Sequence, residues 1–317
     1  MAEYSCYLGI DIGGTKTALA LINGQGRILR QTSVATVKTS ANQWTQNLCD
    51  LIDGFLLHQA VGGIGIGMKG MIAADLKTVV HSSVLDEPLS VDLCKILSER
   101  YQALCRIDND VHAAALAEAR FGIGREYPDF IYINLGTGLA VGIVNHGTLL
   151  RGVNNLAGEL GITMEIRRED GEAYPLESLV SGAGLADEAV RLHTRYPAST
   201  LSGRIGPQEA VSAKDVLRAH REGDTLAAEV MKRFIDTLLR VLINVSLLLN
   251  PSAFVFGGGL ISDGYILELL REPYEKMCLP AYRAEMTLSS LGGNEAGVIG
   301  AACLCLSGQN NGKEGII

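Results

Sequence analysis

The 317-residue sequence predicts an α/β protein of two lobes, each built on a mixed sheet, and three observations predict it. A strand, a glycine turn and a second strand occur at residues 7–22 (YLGIDIGGTKTALALI) and again at 130–144 (FIYINLGTGLAVGIV). Aligning Ile10-Asp11-Ile12-Gly13 with Ile133-Asn134-Leu135-Gly136 gives one apolar-polar-apolar-glycine frame, so two related lobes are expected. With 47% hydrophobic residues the chain is long enough to bury two cores.

The first turn carries chemistry as well as shape. Asp11, Gly13, Gly14, Thr15 and Lys16 bring together an acid, two residues without Cβ atoms, a hydroxyl and an ammonium. Backbone N–H groups in such a turn can close on phosphate oxygens. Lys16 and Thr15 add donors, and Asp11 can hold a hydrated magnesium ion. An ordinary hairpin turning through Gly-Gly is the alternative for this stretch taken alone. A P-loop is excluded because Thr15 stands where its lysine should be.

Further along, a helix is expected over residues 42–60, a strand over Gly63–Met68 and a helix over 91–100. Residues 65–70 (GIGMKG) formally fit a dinucleotide fingerprint, but 71–80 reads as a hairpin where that fingerprint needs a helix. Next, Asn109 and Asp110 stand at the mouth of an alanine-rich helix over 110–119. Such a pair could bond one hydroxyl and take the proton from another. Plain N-capping is the alternative, and three glycine turns in the same chain weigh against it.

The second of those turns is Gly136-Thr137-Gly138, and the third is Gly257-Gly258-Gly259 after the strand-like 252–256. At the third, missing side chains would let an adenine or ribose lie against the backbone. Between them Val230, Phe234, Leu238, Leu242, Val245 and Leu249 recur at helical spacing and stop before Pro251. Arg240 and Asn244 interrupt this apolar run, so it reads as a core helix and not a membrane span.

Composition narrows the partners. A net charge of −8 with no basic run makes nucleic acid a poor partner, and only 5% aromatic residues weaken a base-stacking reading. The seven scattered cysteines contain no CxxC pair and read as reduced core residues of a cytoplasmic protein. No signal peptide is read ahead of the first strand. The six histidines form no HExxH or triad-like cluster, so packing roles are expected for all, His112 included.

Taken together and in this order, DIGGTKT, DNDVHAAALAEA, NLGTGLAVGI, AGELG, LESLVSG and FGGG resemble the ROK family of bacterial sugar kinases and sugar-responsive repressors. The resemblance implies an actin/hexokinase-like (ribonuclease H-like) fold with a sugar in the cleft and ATP clamped by phosphate loops from both lobes. It implies a small lobe over 1–117 that regains the chain through a return helix within 297–317, and a large lobe over 118–296. The implied activity is ATP-dependent phosphorylation of a hexose hydroxyl, most often the 6-OH, by a cytoplasmic homodimer with no nucleic-acid or membrane partner. In it Asp110 is the general base and Asp11 holds Mg2+ through water. Gly13, Gly14, Thr15, Lys16, Gly136, Thr137 and Gly138 cradle phosphates, and Gly258 and Gly259 the nucleoside. The sugar is read by Asn109, Asp110, Glu159, Glu177 and the backbone of Gly70. Glu159 has the alternative of a solvated loop acid, and Glu177 that of a favourable first-turn charge.

Departures from the family pattern are specific. Its structural zinc is not expected, because Ile162 replaces the histidine and Arg168, Asp170 and Pro175 the cysteines. That loop must then be ordered by packing or by a partner subunit. Lys69 stands in the usual GxPG loop, and residues 81–85, with Ser83, replace the sugar-contacting Pro-Asn-Leu stretch. These changes suggest another hexose, a substituted hexose with an anionic group facing Lys69, or a degraded kinase. A surface role is the alternative for Lys69.

The competing function is a catalytically weak sugar sensor without a DNA-binding domain. Retention of Asp11, Thr15, Lys16 and Asp110 favours the enzyme. No winged-helix extension is read before Gly9, which disfavours the repressor branch, and the tail over 307–317 is expected to be disordered.

Overall fold

Strand β1 (Tyr7–Ile12) opens the fold with Leu8, Ile10 and Ile12 fully buried. β2 (Lys16–Ile22) returns antiparallel to it, with Asp11 opposite Ala18 and Ile12 opposite Thr17, so the expected opening hairpin forms. β3 (Ile28–Ala35) follows as the edge strand. In the computed structural model that supplies these coordinates, the described residues are 6–85, 92–167, 169–206, 210–292 and 295–306.

Helix α1 (Ala41–Leu56) buries Trp44, Leu48, Ile52 and Phe55, one face at helical spacing. It stops four residues short of the sequence expectation. Leu57 and His58 both take left-handed backbone angles, which end the helix and send the chain to the next strand. β4 (Gly63–Met68) matches its expected bounds. β5 (Met71–Ile72) and β6 (Val79–His81) pair antiparallel, so no helix follows Gly70 and the dinucleotide fingerprint is excluded. Asp92 caps α2 (Leu93–Tyr101) by accepting from the Lys95 N–H, and β7 (Leu104–Asn109) runs straight into α3 (Asp110–Phe121). The sheet order is β3-β2-β1-β4-β7, with β1, β4 and β7 parallel.

The chain continues through β8 (Phe130–Leu135), β9 (Leu139–Asn145), β10 (Thr148–Leu150), β11 (Met164–Ile166) and β12 (Ala173–Pro175). Then come α4 (Leu176–Leu179), α5 (Gly182–Leu192), α6 (Ala213–Arg221) and α7 (Thr225–Leu249). Last are β13 (Ala253–Gly257), α8 (Tyr265–Met277), β14 (Glu285–Leu288) and α9 (Glu295–Cys303). The second five-stranded sheet has the order β10-β9-β8-β13-β14, with β13 parallel to both neighbours.

α7 is the apolar helix read from the sequence. Asp224 caps its start, and Asn250 in a left-handed conformation ends it before Pro251. Val230, Phe234, Leu238 and Leu242 are buried, whereas Leu249 is exposed, so the stripe leaves the core in the last turn. Among the described residues no helix is long and apolar enough to cross a membrane. All seven cysteines are free and buried.

Small residues let α9 settle onto the first sheet. A Cβ on Gly65 would lie 1.7 Å from the Ala301 carbonyl oxygen, and one on Gly300 would lie 1.7 Å from that of Ala113. The return helix therefore packs backbone to backbone against β4 and α3, a fit that any larger side chain would break. Contacts divide the chain into two units. One holds the described residues up to 129, 142–158 and those from 289 on; the other holds 130–141 and the described residues of 159–288.

Candidate functional site

In the first unit, parallel strands β1, β4 and β7 end in one row. Ile12 lies opposite Met68, and Met68 opposite Asn109. The residues that leave this edge are Gly13, Lys69 and Asp110, at the carboxyl ends of the strands, where open α/β sheets bind ligands. The turn after β1 is tied from the residue that follows β3. The Thr36 N–H donates to the Thr15 carbonyl at 3.0 Å, and the Thr36 hydroxyl donates to the Gly13 carbonyl at 2.8 Å. Gly14 faces open space, and Thr15 and Lys16 are exposed beside it.

Asp11 is half-buried against the first turn of α9, where a Cβ on Gly297 would stand 2.5 Å from its Oδ2. Burial, then the charge of Asp110, pushes its carboxyl up to about 7 against the pull of Lys16. A desolvated acid crowded by a second acid gains most from a hard divalent cation with oxygen ligands, so this set fits Mg2+. Burial likewise raises the Asp110 carboxyl, opposed by its hydrogen bond from the Val111 N–H and by Lys69.

Asn109 is the N-cap of α3. Its Oδ1 accepts from the N–H groups of Val111 and His112, and its Nδ2 donates to the Gly70 carbonyl at 2.9 Å. The same side chain thus starts the helix, just ahead of Asp110, and fixes Gly70.

Beneath this lies a polar cluster that sequence reasoning missed. The Asp108 carboxylate, with 0% exposure, accepts from Asn109 N–H (2.8 Å), Arg151 Nη2 (2.8 Å) and Asn155 Nδ2 (2.9 Å), and it contacts His112 Nδ1 at 3.1 Å. Burial alone would raise its pKa, but the bonds and charges of His112, Arg151 and Asn155 hold it below the usual carboxylate range. His112 is not a packing residue. Its Nε2 faces the Ala157 carbonyl at 3.2 Å, so the ring bridges α3 to the segment before Glu159. Asn155 Nδ2 also donates to the Ile72 carbonyl, while Asn155 Oδ1 and Arg151 Nε are buried without a partner among the described residues. A second missed acid is Glu118. Fully buried in α3, it accepts from Ser289, Ser290, the Leu291 N–H and the Ile123 N–H. The available signals were an acid two residues before Asp110 and an arginine entering a glycine-asparagine loop.

In the second unit, the carbonyls of Gly136 and Thr137 accept from the Gly182 and Ala183 N–H groups at 2.8 and 3.2 Å, so the turn is docked on the first turn of α5. Glu177 Oε2 accepts from the Leu139 N–H at 2.8 Å. This carboxylate therefore holds the glycine turn directly. Glu159 is exposed just ahead of a short 3-10 turn over Leu160–Ile162. Gly258, at φ +94°, is required by the fold, since a Cβ there would meet the Leu135 carbonyl oxygen at 2.2 Å. Open space for a ligand begins only at Gly259.

The four positions where zinc ligands are not expected are occupied as follows. Ile162 is 64% exposed, Pro175 pairs within β12, and Asp170 accepts from Arg167 and Tyr174. Arg168 lies outside the described residues. Among the described residues no cluster of three or more His, Cys, Asp or Glu could hold a metal ion. The β11–β12 hairpin is instead fastened by ion pairs. Glu165 bonds Arg240 at 2.6 Å, and Glu169 pairs with Arg191, Arg233 and Arg195. Arg167 stacks 3.9 Å over the Tyr174 ring.

Three comparisons place this geometry among known proteins. The profile of the ROK family matches residues 7–307. The chain is 32% identical to a glucokinase of Halalkalibacterium halodurans, covering 98% of this chain and 97% of that protein. It is 31% identical to an N-acetyl-D-glucosamine kinase of Pectobacterium carotovorum, covering 95% and 99%. Among solved structures it is similar to a ROK family glucokinase from Streptomyces griseus in complex with glucose and AMPPNP, with 30% identity, a TM-score of 0.76 and coverage of 94% and 98%.

Proposed function

The chain belongs to the ROK family, and from that premise we propose that it is an ATP-dependent sugar kinase that phosphorylates a hexose or hexose derivative at the 6-OH. The observation that carries this reading is the row at the carboxyl edge of β1, β4 and β7, which sets a raised carboxyl, Asp110, one strand away from the residue after β4 and two from the glycine turn. A general base with an elevated pKa in a half-buried position suits proton removal from a sugar hydroxyl. The named activities of the two relatives, on glucose and on N-acetyl-D-glucosamine, support a hexose acceptor.

In the proposed reaction Asp110 accepts the hydroxyl proton as that oxygen attacks the γ-phosphorus. Asn109, by capping α3 and fixing Gly70, orients the base and the sugar-facing backbone together. Gly13, Gly14, Thr15 and Lys16 bind phosphate oxygens, as do Gly136, Thr137 and Gly138; Gly259, with Gly258 shaping the turn, receives the nucleoside. Glu159 reads sugar hydroxyls, and Glu177 steadies the turn at Gly138 as well as the sugar. Asp11 would hold magnesium through water, and the ion would supply charge neutralisation at the phosphates. No zinc is assigned to the hairpin.

The test is ADP release with Mg-ATP over a panel of hexoses, N-acetylhexosamines and anionic sugars. Asp110→Asn is expected to lower kcat by about 10²–10⁴ with an unchanged melting temperature. Full activity in the variant sinks the base assignment. Sugar binding by calorimetry with no turnover on any sugar favours the sensor.

A further inference from the structure

We propose that Lys69 is a further catalytic residue whose ammonium binds the phosphoryl group in transit between the turn after β1 and the base after β7. The proposal rests on the kinase reading above. Lys69 is the first residue after β4, the middle of the three parallel strands, and the register fixes what lies on either side. Asp11 and Ile12 stand opposite Gly67 and Met68, and Met68 stands opposite Asn109.

Its backbone is pinned. The Lys69 N–H donates to the Ile12 carbonyl at 3.2 Å, and its carbonyl accepts from the Ser82 hydroxyl at 2.5 Å. The next carbonyl, Gly70, is held by Asn109 Nδ2. The side chain is the opposite: it is exposed and makes no hydrogen bond or ion pair to another side chain among the described residues. A long cation on an immobilised backbone, between a phosphate turn and a base, is placed to act on a ligand. Its field already reaches Asp110, where it opposes the effect of burial.

Phosphoryl transfer supplies the charge it would meet. The bond from the γ-phosphorus to the leaving ADP oxygen breaks, the bond to the sugar oxygen forms, and the hydroxyl proton passes to Asp110. Negative charge spreads over the three equatorial oxygens during this exchange. Lys69 donates to one of them and is unchanged at the end, as a cationic donor to developing charge. An anionic substituent on the sugar is the other chemistry an ammonium here could read, and the two differ in which constant they move.

Lys69→Met and Lys69→Arg are compared with the unaltered protein. Removal of the donor is expected to lower kcat by about 10²–10³, with KM for the sugar within roughly threefold and most activity kept by the arginine variant. A second measurement needs no turnover. Affinity for Mg-ADP with aluminium fluoride, a mimic of the transferring phosphoryl, should fall more than about tenfold in Lys69→Met while Mg-ADP binding is unchanged. Equal aluminium fluoride affinity in both proteins overturns the proposal. So does a loss confined to KM for anionic sugars, which would make Lys69 a reader of the substrate. If the unaltered protein turns over no sugar yet its aluminium fluoride complex depends on Lys69, the kinase reading falls and the phosphoryl assignment stands.

Discussion

The segment after β10 and the β11–β12 hairpin are both held by charge, in opposite surroundings. In the first, Asp108 is sealed from solvent and collects Arg151, Asn155, His112 and a backbone N–H on one carboxylate. In the second, Glu165 and Glu169 meet Arg240, Arg191, Arg233 and Arg195 at the surface, the Glu169 side chain being 31% exposed. Both pair a carboxylate with arginine, but the dielectric is not the same. Burial makes the first arrangement costly to break, because every donor left behind loses water as well as its partner. At the second, solvent and salt take up most of what is lost.

The comparison is broken most directly by Asp108→Ala, which should destabilise the protein by about 3–5 kcal/mol, since it strands Arg151 and His112. Urea unfolding measures this, and a loss under about 1 kcal/mol would show that the cluster relaxes without cost. Because the folded-state pKa of Asp108 is depressed, its contribution is present above the ordinary aspartate range and is lost as pH falls through the lower folded value.

Arg233→Ala sharpens the other side. Its bond to Glu169, followed by the bond from Arg191, draws the Glu169 carboxyl down to about 2. The expected loss is nevertheless at most about 1 kcal/mol, because the pair is solvated, and it should vanish in molar salt. The hairpin's ionic contribution is present above the ordinary glutamate pKa and disappears as pH falls toward about 2, which acid titration of the stability difference checks. An effect that survives molar salt would mean the hairpin is closed by packing.

The smallest expected effect is that of a chelator. Ion pairs occupy the place of the family's zinc loop, so EDTA should move the melting temperature by less than about 1 °C, with less than roughly 0.1 zinc per chain by elemental analysis. A stoichiometric metal would overturn the account of the hairpin.

Much of the fold was legible because local chemistry repeats it. The β1–β2 and β8–β9 frames, the β4 bounds and the stripe of α7 follow from periodicity, glycine turns and caps that act within a few residues. α1 was read too long because apolar spacing continues past Leu56, while the left-handed pair at 57–58 leaves no periodic trace. The candidate site was legible where its proposed residues are also turn and cap residues, as with Gly13, Gly14 and Asn109.

By itself, then, the sequence determined the glycine turns, the bounds of β4 and the acids Asp11 and Asp110 at the ends of β1 and β7, since each is written in contiguous residues. Only the tertiary structure decided that Asn109 both caps α3 and holds the Gly70 carbonyl, that Glu177 grips the Leu139 N–H, and that Asp108, His112, Arg151 and Asn155 share one buried carboxylate. Those bonds join residues up to 47 positions apart. Their strength comes from exclusion of water, which no local pattern encodes and which the closed fold creates.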